Sequence, residues 1–148
     1  MNYTLQPETP YQCVSSIPSK SLSLQFTIQY RLTASSLKTG LKFSLIDSSK
    51  ALYVWIEDNQ GVLRVRTATK TFILPRSKLL TKGNQIKIKC LVYVTGGRGF
   101  LSMKSQSNVL MTQSPLDALD GLITASIFNE SSSDIVTFSD LEILDFAP

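Results

Sequence analysis

Between Leu22 and Leu32 the sequence alternates strictly between apolar and polar side chains. Because successive side chains of a β-strand point to opposite faces, a period of two is typical of a long strand with one buried face. Such a strand needs a second layer to cover its apolar side, so the pattern favours a fold built from packed sheets. The apolar residues occupy successive even positions: Leu22, Leu24, Phe26, Ile28, Tyr30 and Leu32.

Similar strand signals recur along the rest of the chain. Leu52–Ile56 is apolar at consecutive positions, as in an interior strand, and Asp58–Gly61 has the composition of a hairpin turn. Single helical turns are predicted at Arg76–Lys82 and at Ser114–Asp120. The other predicted strands are Leu41–Leu45, Val62–Thr67, Phe72–Leu74, Gln85–Val94, Phe100–Lys104, Val109–Thr112, Leu122–Phe128 and Ile135–Leu144.

About ten strands separated by regular turns predict an all-β fold, an antiparallel two-sheet jelly-roll β-sandwich. Composition agrees, because 20 Ser and 13 Thr in 148 residues favour strands and turns over helices. The length suits a single domain, which we place at residues 21–148. Residues 1–20 are polar and interrupted by Pro7, Pro10 and Pro18, so we expect them to form an extended N-terminal arm.

The order of these segments from Leu22 onward resembles the concanavalin A-like jelly roll, in the laminin G-like style. The resemblance implies two curved antiparallel sheets and a role in binding carbohydrate or protein. It carries over no individual site residue, and no Asp/Asn cluster matches the calcium site of such domains. The similar segments are GLKFSLID at 40–47, ALYVWIEDNQGVLRVRT at 51–67, KGNQIKIKCLVYVTGGRGFLSMKSQ at 82–106, DGLITASIF at 120–128 and VTFSDLEILDF at 136–146.

Several kinds of catalytic chemistry are excluded by the residue types available. The chain has no His, so it has no Ser-His-Asp or Cys-His relay and no His-ligated zinc. Glu57 and Asp58 are adjacent, so their carboxylates diverge on a strand instead of pointing into one cleft. Asp117 and Asp120 have the spacing of a helix cap, and Cys90 falls on the apolar face of its strand. We therefore expect no enzymatic activity, no metal and no cofactor.

Charges of opposite sign are segregated along the chain. Residues 59–115 carry ten basic side chains and no acidic one, while residues 105–148 carry seven acidic side chains and no basic one. Two interpretations stay open: attraction to an acidic glycan, a phosphate backbone or an acidic protein, or neutralisation between neighbouring strands of one chain, which we favour. Arg64 and Arg66 share a strand face, as do Lys87 and Lys89, and the four would form one cationic patch if their strands share a sheet.

Tyr53 and Trp55 lie on one face of their predicted strand, opposite Leu52, Val54 and Ile56. They either pack in the core between the sheets, which we favour, or line a concave groove suited to a glycan. Nucleic acid is not expected as a partner, because the basic segment has few aromatic side chains for base stacking.

The hypothesis that unites these features is a non-enzymatic binding protein of a large assembly, such as a bacteriophage cement, decoration or tail protein. It would contact protein neighbours, including its own copies, through the arm and the segregated charges. The alternative is a lectin-like module that binds an acidic or neutral glycan. Without a signal peptide or apolar span we expect synthesis in the cytoplasm, no membrane association and a final location in a virion. The predicted contact residues are Tyr3, Pro7, Pro10, Tyr53, Trp55, Arg64, Arg66, Lys87, Lys89 and Arg98, the last at a glycine-rich hairpin tip.

Overall fold

Strands account for all the regular structure in the part of the chain that the structure describes. That structure is a computed structural model, and it describes residues 1–34, 36–59, 62–74, 79, 81–95 and 97–145, without the side chains of Ser16 and Lys82. No helix long and apolar enough to cross a membrane occurs among these residues. The strands are β1 (Tyr3–Leu5), β2 (Thr9–Ser19), β3 (Leu22–Arg31), β4 (Leu37–Leu45), β5 (Ala51–Asn59), β6 (Val62–Thr67), β7 (Thr71–Leu74), β8 (Thr81–Lys82), β9 (Gln85–Thr95), β10 (Arg98–Ser105), β11 (Asn108–Pro115), β12 (Ile123–Asn129) and β13 (Val136–Asp145).

The strands pair in two antiparallel sheets, which confirms the predicted all-β sandwich. The seven-stranded sheet has the order β1-β13-β3-β9-β10-β11, with β8 beside β9. The six-stranded sheet has the order β2-β12-β4-β5-β6-β7. Each sheet therefore mixes strands from both halves of the chain, and each has an inner face toward the other sheet and an outer face away from it.

The core lies between the inner faces. The even-numbered residues of β3 from Leu22 to Tyr30 are buried, as the alternation predicted, and they belong to one cluster with Phe43, Leu52 and Ile56 of the six-stranded sheet. Cys90 is part of this core, and its burial raises the pKa of its thiol, as expected of an inert apolar cysteine.

Residues 1–20 are extended, but they are not an arm that stands apart from the sandwich. β1 pairs with β13 and β2 pairs with β12, so this segment supplies one edge strand to each sheet. The buried Asn129 side chain secures the turn between them by donating to the carbonyls of Leu5 and Gln6, both at 3.1 Å. Pro10 and Pro18 are compatible with β2 because an edge strand leaves one row of N–H groups without a partner strand.

The helical turn predicted at Ser114–Asp120 is wrong. β11 continues to Pro115, and 116–120 then runs without regular structure across the end of the β9–β10 hairpin. The backbone N–H of Leu116 donates to the Gly99 carbonyl at 2.8 Å, and the side chains of Leu116 and Leu119 are buried. Burial of these leucines outweighs local helix signals. The other predicted helical turn, Arg76–Lys82, lies largely outside the described residues, and its end forms β8.

One buried polar pair joins the two sheets. The Tyr30 hydroxyl of β3 donates to Asp58 Oδ2 of β5 at 2.8 Å, and both side chains are almost fully buried. Asp58 therefore points inward while Glu57 points outward, which confirms that the two carboxylates diverge.

Replacing Tyr30 by Phe should leave the Asp58 carboxylate short of one donor in the core. We expect Tyr30→Phe to lower the free energy of unfolding by about 1–3 kcal/mol, measured by urea denaturation. The matched control is Tyr93→Phe, which removes a hydroxyl from the outer face of β9 and should change stability by less than about 0.5 kcal/mol. Equal effects of the two substitutions would show that the Tyr30–Asp58 hydrogen bond does not stabilise the fold.

Candidate functional site

The outer face of the six-stranded sheet carries most of the polar and aromatic side chains with functional potential. On β5, Leu52, Val54 and Ile56 are buried toward the core, so Tyr53 and Trp55 lie on the opposite, outer face, where they are half-buried. The prediction that Tyr53 and Trp55 pack in the core is wrong, because aliphatic side chains already fill the space between the sheets. The alternative was a concave groove, and the structure shows the outward orientation that it requires, with both side chains on the outer face of the sheet.

The register of the strands aligns Trp55 with three residues of neighbouring strands. Phe128 of β12 lies opposite Gly40 of β4, Gly40 lies opposite Trp55, and Trp55 lies opposite Arg66 of β6. A Cβ atom at position 40 would lie 2.1 Å from the Val54 carbonyl oxygen and 2.6 Å from the Trp55 Cα. Only glycine fits there, because the backbone of β5 occupies the space that a side chain at position 40 would need.

Trp55 is held by a hydrogen-bonded network with Glu57 at its centre. The indole Nε1 donates to Glu57 Oε1 at 3.1 Å, and Arg66 Nη1 donates to Glu57 Oε2 at 2.9 Å. Arg66 also donates through Nε to Thr71 Oγ1 of β7 at 3.3 Å. The network fixes the edge of the indole ring while the ring itself remains partly exposed.

The same network sets the charge state of Glu57. Burial alone would raise the pKa of Glu57, but hydrogen bonds from Trp55 and Arg66 and the positive charges of Arg66 and Lys38 lower it below its ordinary value. Glu57 is therefore an ionised carboxylate whose two oxygens are both engaged.

Lys38 links Trp55 to a second carboxylate. Its Nζ lies 5.3 Å from the centroid of the Trp55 ring and 3.1 Å from Glu130 Oε2. Glu130 Oε1 also accepts a long hydrogen bond of 3.5 Å from the Tyr11 hydroxyl. The Lys38 ammonium is thus placed on the indole by a cation–π contact and an exposed ion pair, both of modest strength.

A second cation–π cluster lies beside the first. Lys42 Nζ is 4.6 Å from the ring centroid of Tyr11 and 5.5 Å from that of Tyr53. Tyr11 packs against Phe128 edge-on, with ring centroids 5.1 Å apart, and Phe128 is almost completely buried. Burial, followed by the proximity of Tyr53 and Glu130, raises the pKa of Tyr11 to about 12.

We call this connected set the aromatic–basic face. A pocket of about 360 Å³ adjoins it at the end of β5 and β6, where Lys38, Glu57 and Arg64 line its wall. Arg64 lies opposite Glu57 in the register but forms no ion pair within 4 Å with any described residue. The aromatic–basic face comprises Tyr11, Lys38, Lys42, Tyr53, Trp55, Glu57, Arg64, Arg66, Phe128 and Glu130.

The predicted four-cation patch does not exist. Arg64 and Arg66 lie on β6 of the six-stranded sheet, whereas Lys87 and Lys89 lie on β9 of the seven-stranded sheet. Both pairs point away from the core, so the sandwich separates them onto opposite outer faces. Arg98 does lie at the β9–β10 hairpin tip, where it pairs with Thr95 and is exposed.

The predicted contacts of the N-terminal segment lie elsewhere on the molecule. Tyr3 packs partly against the core from β1, Pro7 lies in the turn before β2, and Pro10 is exposed on β2. None of these three belongs to the aromatic–basic face, to which β2 contributes Tyr11.

Six of the ten residues of the aromatic–basic face were not among the predicted contacts, although one of them, Glu57, was considered as a catalytic carboxylate. Lys38 and Lys42 flank Gly40 at alternate positions of β4, a spacing that could have indicated one outward face. Tyr11, Phe128 and Glu130 had no such signal, because their proximity depends on β2 and β12 joining the edge of this sheet.

Comparisons with known proteins identify the fold. No protein-family model matches the chain, and no curated protein matches its sequence. A tetrameric galectin from the ball sponge Cinachyrella sp. superposes with a TM-score of 0.59 and 15% identity over 90% of this chain and 99% of the galectin. An engineered GH43 glycoside hydrolase gives 0.57 and 10% identity over 98% of this chain, which spans 34% of that protein. An alginate lyase from Alteromonas sp. 272 gives 0.55 and 10% over 97% of this chain and 77% of the lyase. These likenesses confirm the fold, a two-sheet jelly-roll β-sandwich.

The lowered pKa of Glu57 makes a prediction about stability and pH. A carboxylate whose pKa is lower in the folded state stabilises the fold above its unfolded pKa, and that stability is lost as the pH falls through the folded value. The free energy of unfolding of the wild type should therefore exceed that of Glu57→Gln at pH 7, and the difference should shrink at pH 3, as measured by urea denaturation.

Glu142→Gln is the matched control, since Glu142 is exposed on β13 and forms no ion pair with a described residue. The free energy of unfolding of Glu142→Gln should differ little from that of the wild type at both pH 7 and pH 3. A pH-independent difference for Glu57→Gln would contradict the network described above.

Proposed function

We propose that this β-sandwich, whose fold is shared with a galectin and with polysaccharide-degrading enzymes, is a non-enzymatic, lectin-like module that binds an acidic oligosaccharide. The ligand would lie across the aromatic–basic face, with one sugar ring on Trp55 and an anionic group toward Arg64. The observation that carries the proposal is the arrangement around Trp55, an outward indole with a fixed edge beside an arginine that has no ion-pair partner among the described residues.

The indole is suited to a sugar for a physical reason. The C–H side of a pyranose ring packs on an aromatic surface while its hydroxyls bond to polar groups around the rim. Here the rim supplies the Glu57 and Glu130 carboxylates and the Arg66 guanidinium close to the ring. The adjoining pocket of about 360 Å³ lies at the small end of the range for ligand sites, as expected for one sugar residue.

Net charge favours an acidic over a neutral sugar. The aromatic–basic face holds four cations, Lys38, Lys42, Arg64 and Arg66, against the two carboxylates of Glu57 and Glu130. A sugar stacked on Trp55 must displace the Lys38 ammonium from the ring, and a carboxylate or sulfate on the ligand would then pair with that ammonium.

The state of the carboxylates argues against hydrolysis as the function. A glycosidase acid needs a raised pKa so that it is protonated before it donates, whereas the pKa of Glu57 is lowered. The adjacent Asp58 points into the core and cannot act with Glu57 on one substrate. Binding without turnover is the chemistry that these groups support.

The hypothesis of an assembly protein in a virion stays a prediction. Its structural premise was a free N-terminal arm available to neighbours, and that segment instead pairs within the two sheets of its own chain. Carbohydrate binding rests on side chains that are outward and grouped.

The single tryptophan offers a direct test of the proposal. Titration with heparin-derived and oligogalacturonate hexasaccharides should change the fluorescence of Trp55, and neutral maltohexaose and xylohexaose should bind at least about tenfold more weakly. Affinity for the acidic sugars should fall as salt rises, because exposed charges are screened. Absence of binding to all four sugars would overturn the proposal, and equal binding to acidic and neutral sugars would overturn its charge preference.

Variants locate the binding surface. By calorimetry, we expect Trp55→Ala to weaken binding of the acidic hexasaccharide by about tenfold or more, since tenfold corresponds to the roughly 1.4 kcal/mol that a stacked ring contributes. Arg64→Ala should weaken the binding of acidic sugars but not that of neutral sugars. Lys89→Ala, which removes an equal charge from the other sheet, should leave both affinities unchanged. Full affinity in Trp55→Ala would place the site elsewhere.

A further inference from the structure

The outer face of the seven-stranded sheet is divided into an acidic and a basic side. β13 carries the exposed Asp140 and Glu142, and two strands away β9 and β10 carry the exposed Lys89 and Lys104, which are paired directly across the sheet. Between them, β3 presents uncharged side chains outward from Ser23 to Gln29, namely Ser23, Gln25, Thr27 and Gln29, and its one charged outward residue, Arg31, lies at the far end of the strand opposite Gln85. The charge segregation of the sequence thus becomes a separation of about 10 Å across one surface.

None of these charges is neutralised within the described part of the chain. Glu142, Lys89 and Lys104 form no ion pair within 4 Å with a described residue, because β3 keeps β13 and β9 apart. The favoured interpretation of the sequence, neutralisation between neighbouring strands, therefore does not apply to this face.

Both the acidic and the basic side of this outer face also carry exposed apolar side chains. Leu144 of β13 is 59% exposed, and Leu91 of β9 is 38% exposed. Tyr93 and Phe100 form an aromatic pair on the basic side, with ring centroids 5.1 Å apart. A groove of about 330 Å³ lies on the same side of this face, with Leu91, Val109, Lys89 and Lys104 among its lining residues.

We propose that two copies of this chain pack face to face through the outer faces of their seven-stranded sheets. The two-fold axis would run parallel to the strands and pass over β3, so that β13 of each copy lies on β9 and β10 of the other. A two-fold interface uses the same patch on both copies, and a patch with an acidic and a basic side is complementary to itself under this rotation.

The strand register supports this arrangement residue by residue. A rotation about an axis parallel to the strands keeps each residue at its level along the strand. Leu144 lies at the level of the Tyr93–Phe100 pair, since both are in register with Ser23. It would therefore pack on the aromatic pair of the second copy.

At the neighbouring positions along the strands, the acidic side chains of one copy would face the lysines of the other. Glu142 is in register with Gln25 and Leu91, one outward position from the Lys89–Lys104 pair. Asp140 lies in the irregular stretch of β13 between the levels of Leu91 and Lys89. Both acids of one copy thus come close to both lysines of the other, and the uncharged residues of β3 meet at the axis.

The size of the surface indicates a weak dimer. Four strands at about 4.8 Å spacing and eight residues at about 3.3 Å give a footprint of about 500 Å² on each copy, near the lower limit for specific association. The surface is opposite the aromatic–basic face, so a dimer would leave both carbohydrate sites open and pointing in opposite directions.

Sedimentation velocity on the full chain tests the proposal, over about 5–500 µM protein at 50 and 500 mM salt. We expect a monomer–dimer equilibrium in which high salt weakens association at least about tenfold. Glu142→Lys alone and Lys89→Glu/Lys104→Glu together should each weaken association at least about tenfold. Combining all three substitutions should recover part of that association, because Glu142 and the two lysines have then exchanged charge while Asp140 keeps its sign.

Arg64→Glu on the opposite outer face is the matched control and should leave the dimer unchanged. Circular dichroism shows that each variant is folded. Titration of the Glu142, Lys89 and Lys104 variants with the acidic hexasaccharide measures carbohydrate binding separately from association. A wild type that stays monomeric at 500 µM would overturn the proposal. So would a dimer insensitive to the charge reversals, or a folded triple variant that remains as weak as the single reversals.

Discussion

Burial of every second side chain between two sheets is the constraint on which the rest of this structure depends. Each central strand gives its inner half to one continuous core, from Leu24 and Ile28 on β3 to Leu52 and Ile56 on β5. The inward-facing half of the strand residues thus supplies the apolar burial that stabilises the fold. The outer half is then free to carry charge, aromatic rings and function at little cost to the fold, and both proposed binding surfaces use it.

The β5 strand shows how closely fold and function are joined. Asp58 accepts a hydrogen bond from Tyr30 in the core, while its neighbour Glu57 organises Trp55 and Arg66 on the surface. Two adjacent carboxylates therefore have different partners and different roles because a strand turns them to opposite sides. The same geometry that argues against a paired-carboxylate enzyme provides a fixed aromatic platform for binding.

Much of the fold followed from the sequence, and the failures have identifiable causes. The alternation at Leu22–Leu32 and the segment Val62–Thr67 appear as strands nearly residue for residue. β1 and β2 were missed because prolines and polar residues are as acceptable in an edge strand as in a free arm. The alternation along β5 correctly placed Tyr53 and Trp55 on the face opposite Leu52, Val54 and Ile56. Both faces are apolar enough to be buried, so the local sequence did not decide which of the two faces the core.

What the sequence by itself determined is local: the strand period, the hairpins, the absence of histidine chemistry and the segregation of charge along the chain. Strand order was decided only by the tertiary structure. It placed Arg64 and Lys89 on opposite outer faces, although both belong to the same basic segment of the sequence, residues 59–115. It also brought Tyr11 of β2 to Tyr53 of β5 and set acidic β13 two strands away from basic β9, with β3 between them. These outcomes depend on pairing between distant segments, and period-two patterns specify which side of a strand is buried without specifying its neighbours.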